Sequence, residues 1–101
     1  MHAYPMADEP RLELNREKSR YELWADDARA GTLKIRDEPE ALVLVSTRVD
    51  PAFEGRGYGS RIVARALADA RAAGRKVVIE CEFAQAYVQR HPDQQDLLLS
   101  A

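Results

Sequence analysis

ALVLVSTRVDPAFEGRGYGSRIVARAL, residues 41–67, is the stretch on which the fold turns. It begins as a strand. Leu42 and Leu44 stand on one face and Val43 and Val45 on the other, so both faces open apolar, as in a central strand covered on both sides. Ser46 and Arg48 then make one face polar, and Pro51 stops the strand. Gly55, Gly57 and Gly59 follow at every second position. From Ser60, Ile62, Val63, Ala66, Leu67, Ala70 and Ala73 recur at helical spacing, with Gly74 where a C-terminal cap belongs. A strand thus runs through a glycine loop into an amphipathic helix.

Such a loop has a specific capability. The first N–H groups of a helix lack helical partners and lie at the positive end of its dipole. Glycines bring the backbone close to a ligand and permit positive φ. Together they form a cradle for phosphate or pyrophosphate. The alternative is a plain strand-to-helix turn, for which one glycine suffices. The loop is no P-loop, because no Lys-Ser/Thr follows Gly59, and it is no G-x-G-x-x-G dinucleotide fingerprint.

Working outward, Tyr21, Leu23 and Ala25 alternate with polar neighbours, as do Leu33 and Ile35. ADDARAG (25–31) and RDEPE (36–40) read as hairpin turns, so residues 19–49 form a three-stranded meander. RLELN (11–15) reads as a short edge strand, and Trp24 as a core anchor. Downstream, KVVIECEF (76–83) is a strand with Val77, Ile79 and Cys81 on one face. AQAYVQR (84–90) is a short helix that ends before Pro92. The order β-β-β-α-β-α predicts an α+β, α/β-like domain: a mixed, mostly antiparallel sheet of four to five strands with two helices. The strands on either side of the first helix should run parallel. Residues 1–10 read as a flexible tail and 11–101 as one domain.

Composition narrows the function. The 101 residues are 46% hydrophobic and 32% charged, as in an ordinary globular chain. Fifteen basic against 17 acidic residues give a formal charge of −2, which argues against a general nucleic-acid partner. No apolar run approaches the roughly 18 residues of a membrane span, and no signal-peptide core is evident. Cys81 stands alone, so no internal disulfide forms, and with only His2 and His91 beside it no standard zinc site is expected. A reducing cytoplasm is the simplest setting.

One resemblance sharpens this. VDPAFEGRGYGSRI (49–62) resembles the acyl-CoA-binding motif Gln/Arg-x-x-Gly-x-Gly/Ala of the GNAT superfamily of N-acetyltransferases, with Gly57 and Gly59 at the two small positions. Residues 21–98 are similar to the short, single-domain GNAT-like family of predicted acetyltransferases. That family shows His-Thr-Glu-Val, Gly-x-Gly-x-Gly and Cys-x-Phe-x-x-x-Tyr-x-x-x-His-Pro where this chain has STRV, GRGYG and CEFAQAYVQRHP. The resemblance implies a minimal GNAT fold and acetyl-CoA as cosubstrate. It also implies pyrophosphate seated on the backbone from Gly55 through Arg56, Gly57, Tyr58 and Gly59 to Ser60, and pantetheine bonded along Arg48 and Val49. Arg56 and Arg61 either supplement the phosphate charge or are solvated surface arginines.

For chemistry, the resemblance aligns Tyr87 with a tyrosine that protonates the departing CoA sulfur. The alternative is a ring packed on the sheet. Cys81 is a nucleophile, a wall of the acetyl pocket, or a small buried hydrophobe. Glu80 and Glu82 are either carboxylates at the site's mouth or solvated glutamates, and His91 reads as a helix cap. Glu54 departs from the usual Gln or Arg, and Ser46 from the strand-end His. The leading expectation is transfer of acetyl to a primary amine, on a protein or peptide among other carriers, by direct attack on the thioester. A CoA-binding module with little or no catalysis is the second reading, and an interaction domain whose turn binds nothing is the third. A monomer or weak homodimer is expected.

Overall fold

A computed structural model describes residues 10–99. The tail expected over residues 1–10 lies, but for Pro10, outside the described residues. Five strands join in sequence order: β1 (Arg11–Asn15), β2 (Arg20–Ala25), β3 (Ala28–Asp37), β4 (Leu42–Val49) and β5 (Val77–Ile79). The first four pair antiparallel as a meander, with RLELN as its edge. Helix α1 (Tyr58–Ala72) then crosses over and returns the chain as β5, parallel to β4. Helix α2 (Glu82–Arg90) and a 3₁₀ segment, Pro92–Leu97, complete the described chain. This is the mixed, mostly antiparallel sheet with two helices that the patterning predicts.

Both helices pack on one face of the sheet. Tyr21, Leu23, Leu33 and Leu44 from the strands meet Ile62, Val63, Ala66 and Leu67 of α1 and Ala84 and Val88 of α2 in one buried cluster. Gly31 sets how closely α1 rides: a Cβ there would lie 3.0 Å from Ile62 Cδ1 and 3.1 Å from the Arg48 carbonyl oxygen. Gly74 (φ 68°) closes α1 as expected, with Arg75 N–H donating to the Ala70 carbonyl and Gly74 N–H to that of Arg71. This is the paired Schellman pattern.

Three features differ from strict alternation. Opposite Leu23/Trp24 the register shifts and leaves Ala30 as an extra residue in β3. A bulge opposite Lys34/Ile35 leaves Val45 as an extra residue in β4, with Ile35 facing Leu44 but Lys34 facing Ser46. Parity therefore reverses along β4. Ser46 and Arg48 lie on the face of Val43, away from the helices, while Thr47 and Val49 join the helix side with Leu42 and Leu44. The strand expected at 76–83 also stops early. Pairing ends at Ile79, and Cys81 already serves as the N-cap of α2, which begins at Glu82 and not at Ala84.

Trp24 is not a core anchor. Strand alternation places it with Glu22 on the open face, half-buried, its ring 5.8 Å from the Arg11 guanidinium and its N–H donating to Glu22. Glu22 is only 5% exposed. Burial alone would raise its carboxyl pKa; hydrogen bonds from Arg20 (2.8 Å), Asn15 (3.2 Å) and Trp24 (3.3 Å) outweigh this and hold it below the ordinary value. A lowered folded-state pKa stabilises the fold above the unfolded value, and that share is lost as pH falls through the folded one. Glu22→Ala, which leaves Arg20 and Trp24 without their acceptor, should cost about 1–2 kcal/mol at neutral pH. In urea unfolding, the gap between wild type and variant should narrow as pH falls below about 4.

Candidate active site

The site grows from the way β4 outruns its neighbour. Glu80 N–H donates to the Leu44 carbonyl at 2.9 Å as the chain leaves β5, yet β4 continues to Val49. Beyond that point β4 runs on without β5, and a cleft of about 370 Å³ opens beside it. Thr47 and Val49 line it from β4, the loop from Phe53 to Ser60 contributes most of the rest, and Phe83 of α2 completes it. Asp50 N–H donates to the Ala30 carbonyl of β3 at 2.8 Å. Alternation then turns the N–H of Val49 the other way, towards the cleft.

The loop is built stepwise. Asp50 accepts from Ala52 N–H at 2.9 Å and opens a 3₁₀ turn, Pro51–Phe53. Gly55 (φ 86°) and Gly57 (φ 76°) occupy the left-handed region, where side chains are strained. Gly57 is the N-cap of α1 and brings no capping side chain. The helical bond of Arg61 N–H to the Gly57 carbonyl (3.1 Å) leaves the N–H groups of Tyr58, Gly59 and Ser60 without acceptors inside the helix. No acidic residue occupies that first turn, so a 15-residue helix presents its positive end to the cleft. Gly59 answers a different demand: a Cβ there would lie 2.9 Å from the ring of Phe83.

The remaining candidates divide by position. Tyr58 offers its backbone, since its ring is buried beside Phe53 at a centroid distance of 6.2 Å. Arg56 lies over Phe53, 5.2 Å from its centroid; it and Arg61 are exposed, and neither lines the cleft. Glu54 lines it and is exposed. Arg48 does not reach it, because the bulge sends its side chain to the opposite face. Ser46 faces that same side, so the position of the missing histidine points away from the cleft. Buried Cys81 stands at the fork, its Sγ 3.1 Å from the hydroxyl of Thr47, which lines the cleft.

Tyr87 is not brought to the cleft. It lines a separate recess between the helices with Ala64, Ala68 and Gln94, and stacks on His91 at 4.0 Å. His91 caps α2, its Nδ1 2.7 Å from the Tyr87 carbonyl oxygen. Glu80 pairs with Arg36 at 2.8 Å, and Glu82 is an exposed residue in the first turn of α2. Thr47, Phe53 and Phe83 are the cleft residues that sequence reasoning passed over. Phe83, 40% exposed, had a signal in retrospect: a large apolar side chain at a helix start, facing a glycine that has no need of positive φ.

Among known proteins, a family model described as GCN5-related N-acetyl-transferase matches residues 20–97. No curated protein matches the chain. Among solved structures, the chain is similar to the NMR solution structure of a GCN5-like protein from Staphylococcus aureus. The TM-score is 0.69 at 16% identity, over 96% of this chain and 93% of that one. At that identity the likeness is one of fold. Among the described residues no helix is long and apolar enough to cross a membrane.

Proposed function

The chain belongs to the GCN5-related N-acetyltransferase family of acyltransferases, and from that premise we propose that it transfers acetyl from acetyl-CoA to a primary amine by direct attack on the thioester. One observation carries this reading: the split between β4 and β5 opens onto a helix start whose first N–H groups have no acceptor and no capping side chain. When bound, acetyl-CoA supplies the activated acyl group and a thiolate leaving group. The backbone from Gly55 to Ser60 and the N-terminus of α1 hold its pyrophosphate, with Arg56 and Arg61 adding positive charge from the rim. The N–H of Val49 polarises the thioester carbonyl, as in an oxyanion hole. The C–N bond forms as the C–S bond breaks, and the amine proton passes to water. Cys81 borders the acetyl end through Thr47.

The two catalytic candidates separate in measurement. A general acid contributes about 10²–10⁴-fold, whereas a packed ring contributes through stability alone. With its ring in the inter-helix recess, Tyr87→Phe should keep kcat within about twofold of wild type; a hundredfold loss would restore its acid role. Direct transfer also requires that intact mass after incubation with acetyl-CoA show no acetyl adduct that disappears in Cys81→Ala.

Ser46, in place of a strand-end histidine that could activate an amine, motivates the second reading, a CoA-binding module. Glu54 in the cleft wall opposes phosphate binding under either reading. The deciding experiment measures CoA release with a panel of primary amines, lysine peptides and polyamines included. Turnover above spontaneous hydrolysis with at least one amine supports the transferase; binding without turnover by any of them supports the module.

A further inference from the structure

The face of the sheet turned away from both helices carries a second concavity. At the ends of β3 and β4 a groove of about 330 Å³ is lined by Arg20, Arg29, Thr32 and Arg48, with the backbone running on from Val49 to Pro51. Thr32 stands directly across from Arg48 and, on its other side, across from Glu22. Arg20 is held by Glu22 at 2.8 Å. Arg29 and Arg48 are exposed and have no ion-pair partner among the described residues. The one carboxylate in the lining, Asp50, already accepts from Ala52 N–H. On a chain whose formal charge is −2, this concentration of unpaired guanidinium groups is local and not background.

Its position gives the groove a use. Val49 lines both this groove and the cleft on the helix side. One residue of β4 therefore separates the arginines from the N–H that would polarise the thioester. We propose that the groove is the acceptor subsite and that it selects an acidic peptide, an amine flanked by Asp or Glu side chains. The planar forks of Arg29 and Arg48 grip those carboxylates while the amine reaches past Val49 to the acyl carbon. This inference rests on the proposed acetyl transfer for its catalytic meaning, but not for its binding.

The test is fluorescence anisotropy with a labelled peptide carrying one central lysine among Asp and Glu, beside its counterpart with Asn and Gln. Each is titrated with wild type and with an Arg29→Gln/Arg48→Gln variant, and acetyl-CoA affinity is measured in parallel. Two exposed charge pairs amount to a preference of about tenfold for the acidic peptide at low salt, which the variant should erase. Acetyl-CoA affinity should stay within about twofold. Equal binding of both peptides to wild type, or an unchanged preference in the variant, overturns the proposal. So does a tenfold loss of acetyl-CoA affinity, which would make the groove a seat for CoA phosphates. Failure of acetyl-CoA to bind wild type at all would strike the acetyl-transfer reading alone, since the peptide preference is read without it.

Discussion

Gly57→Val should weaken acetyl-CoA binding by about a hundredfold or more while the protein still folds. Gly57 sits at φ 76° as the N-cap of α1, and nothing within 4 Å crowds a Cβ there. The penalty is therefore conformational: a β-branched side chain in the left-handed region costs roughly 1–2 kcal/mol. The loop relieves that strain by turning its peptide planes, and the N–H groups of Tyr58 and Gly59 turn with them. A hydrogen bond to a charged group contributes roughly 1.5–3 kcal/mol, so misplacing two removes about two decades of affinity or more. Gly74→Val is the internal control. It imposes the same kind of strain (φ 68°) at the far end of the same helix. Both variants should lose roughly 5–10 °C in Tm, and only Gly57→Val should lose the ligand in calorimetry.

Leu44→Ala should have the largest effect on stability, about 3 kcal/mol. Leu44 is fully buried, faces Ile35 of β3 on one side and Ile79 of β5 on the other, and its carbonyl accepts the last bond before the strands part. Truncation leaves a cavity under the fork that neighbouring strands cannot collapse to fill. Domains of this size have only about 5–15 kcal/mol to lose, so the urea midpoint should fall sharply at an unchanged slope. Leu99, 40% exposed, is the comparison: Leu99→Ala should cost under about 0.5 kcal/mol.

Much of this was legible in the chain. Period-two alternation gave the meander, and the crossover helix required the parallel pairing of β4 with β5. Glycines at 55 and 57 were rightly attributed to backbone geometry, as their φ values of 86° and 76° show. What the sequence hid was parity. The bulge at Val45 reverses which residues of β4 face the helices, and no residue type marks it, since Val45 suits a regular strand equally well. The resemblance pairs Arg48 with Val49 through edge hydrogen bonds of the backbone, and only the bulge decides that the Arg48 side chain lies on the face away from the helices. Tyr87 was hidden for a related reason. Helical spacing puts Phe83 and Tyr87 on one face of α2, but only the packing against α1 decides that Phe83 meets Gly59 at the cleft while Tyr87 lies a turn further away. Size alone makes Trp24 a core anchor, but its even-numbered place beside Glu22 sets it on the open face.

The central claim, that the fork between β4 and β5 together with the start of α1 forms an acetyl-CoA seat, is tested most directly by titrating acetyl-CoA into isotope-labelled protein and following the backbone amides. Val49 and the run from Arg56 to Arg61 should shift together, along one saturating curve, while the amides of β1, at the opposite edge of the sheet, stay in place. Silence at Val49 and at Tyr58, Gly59 and Ser60 with acetyl-CoA in excess would contradict it, and so would shifts confined to Arg29, Thr32 and Arg48 on the other face.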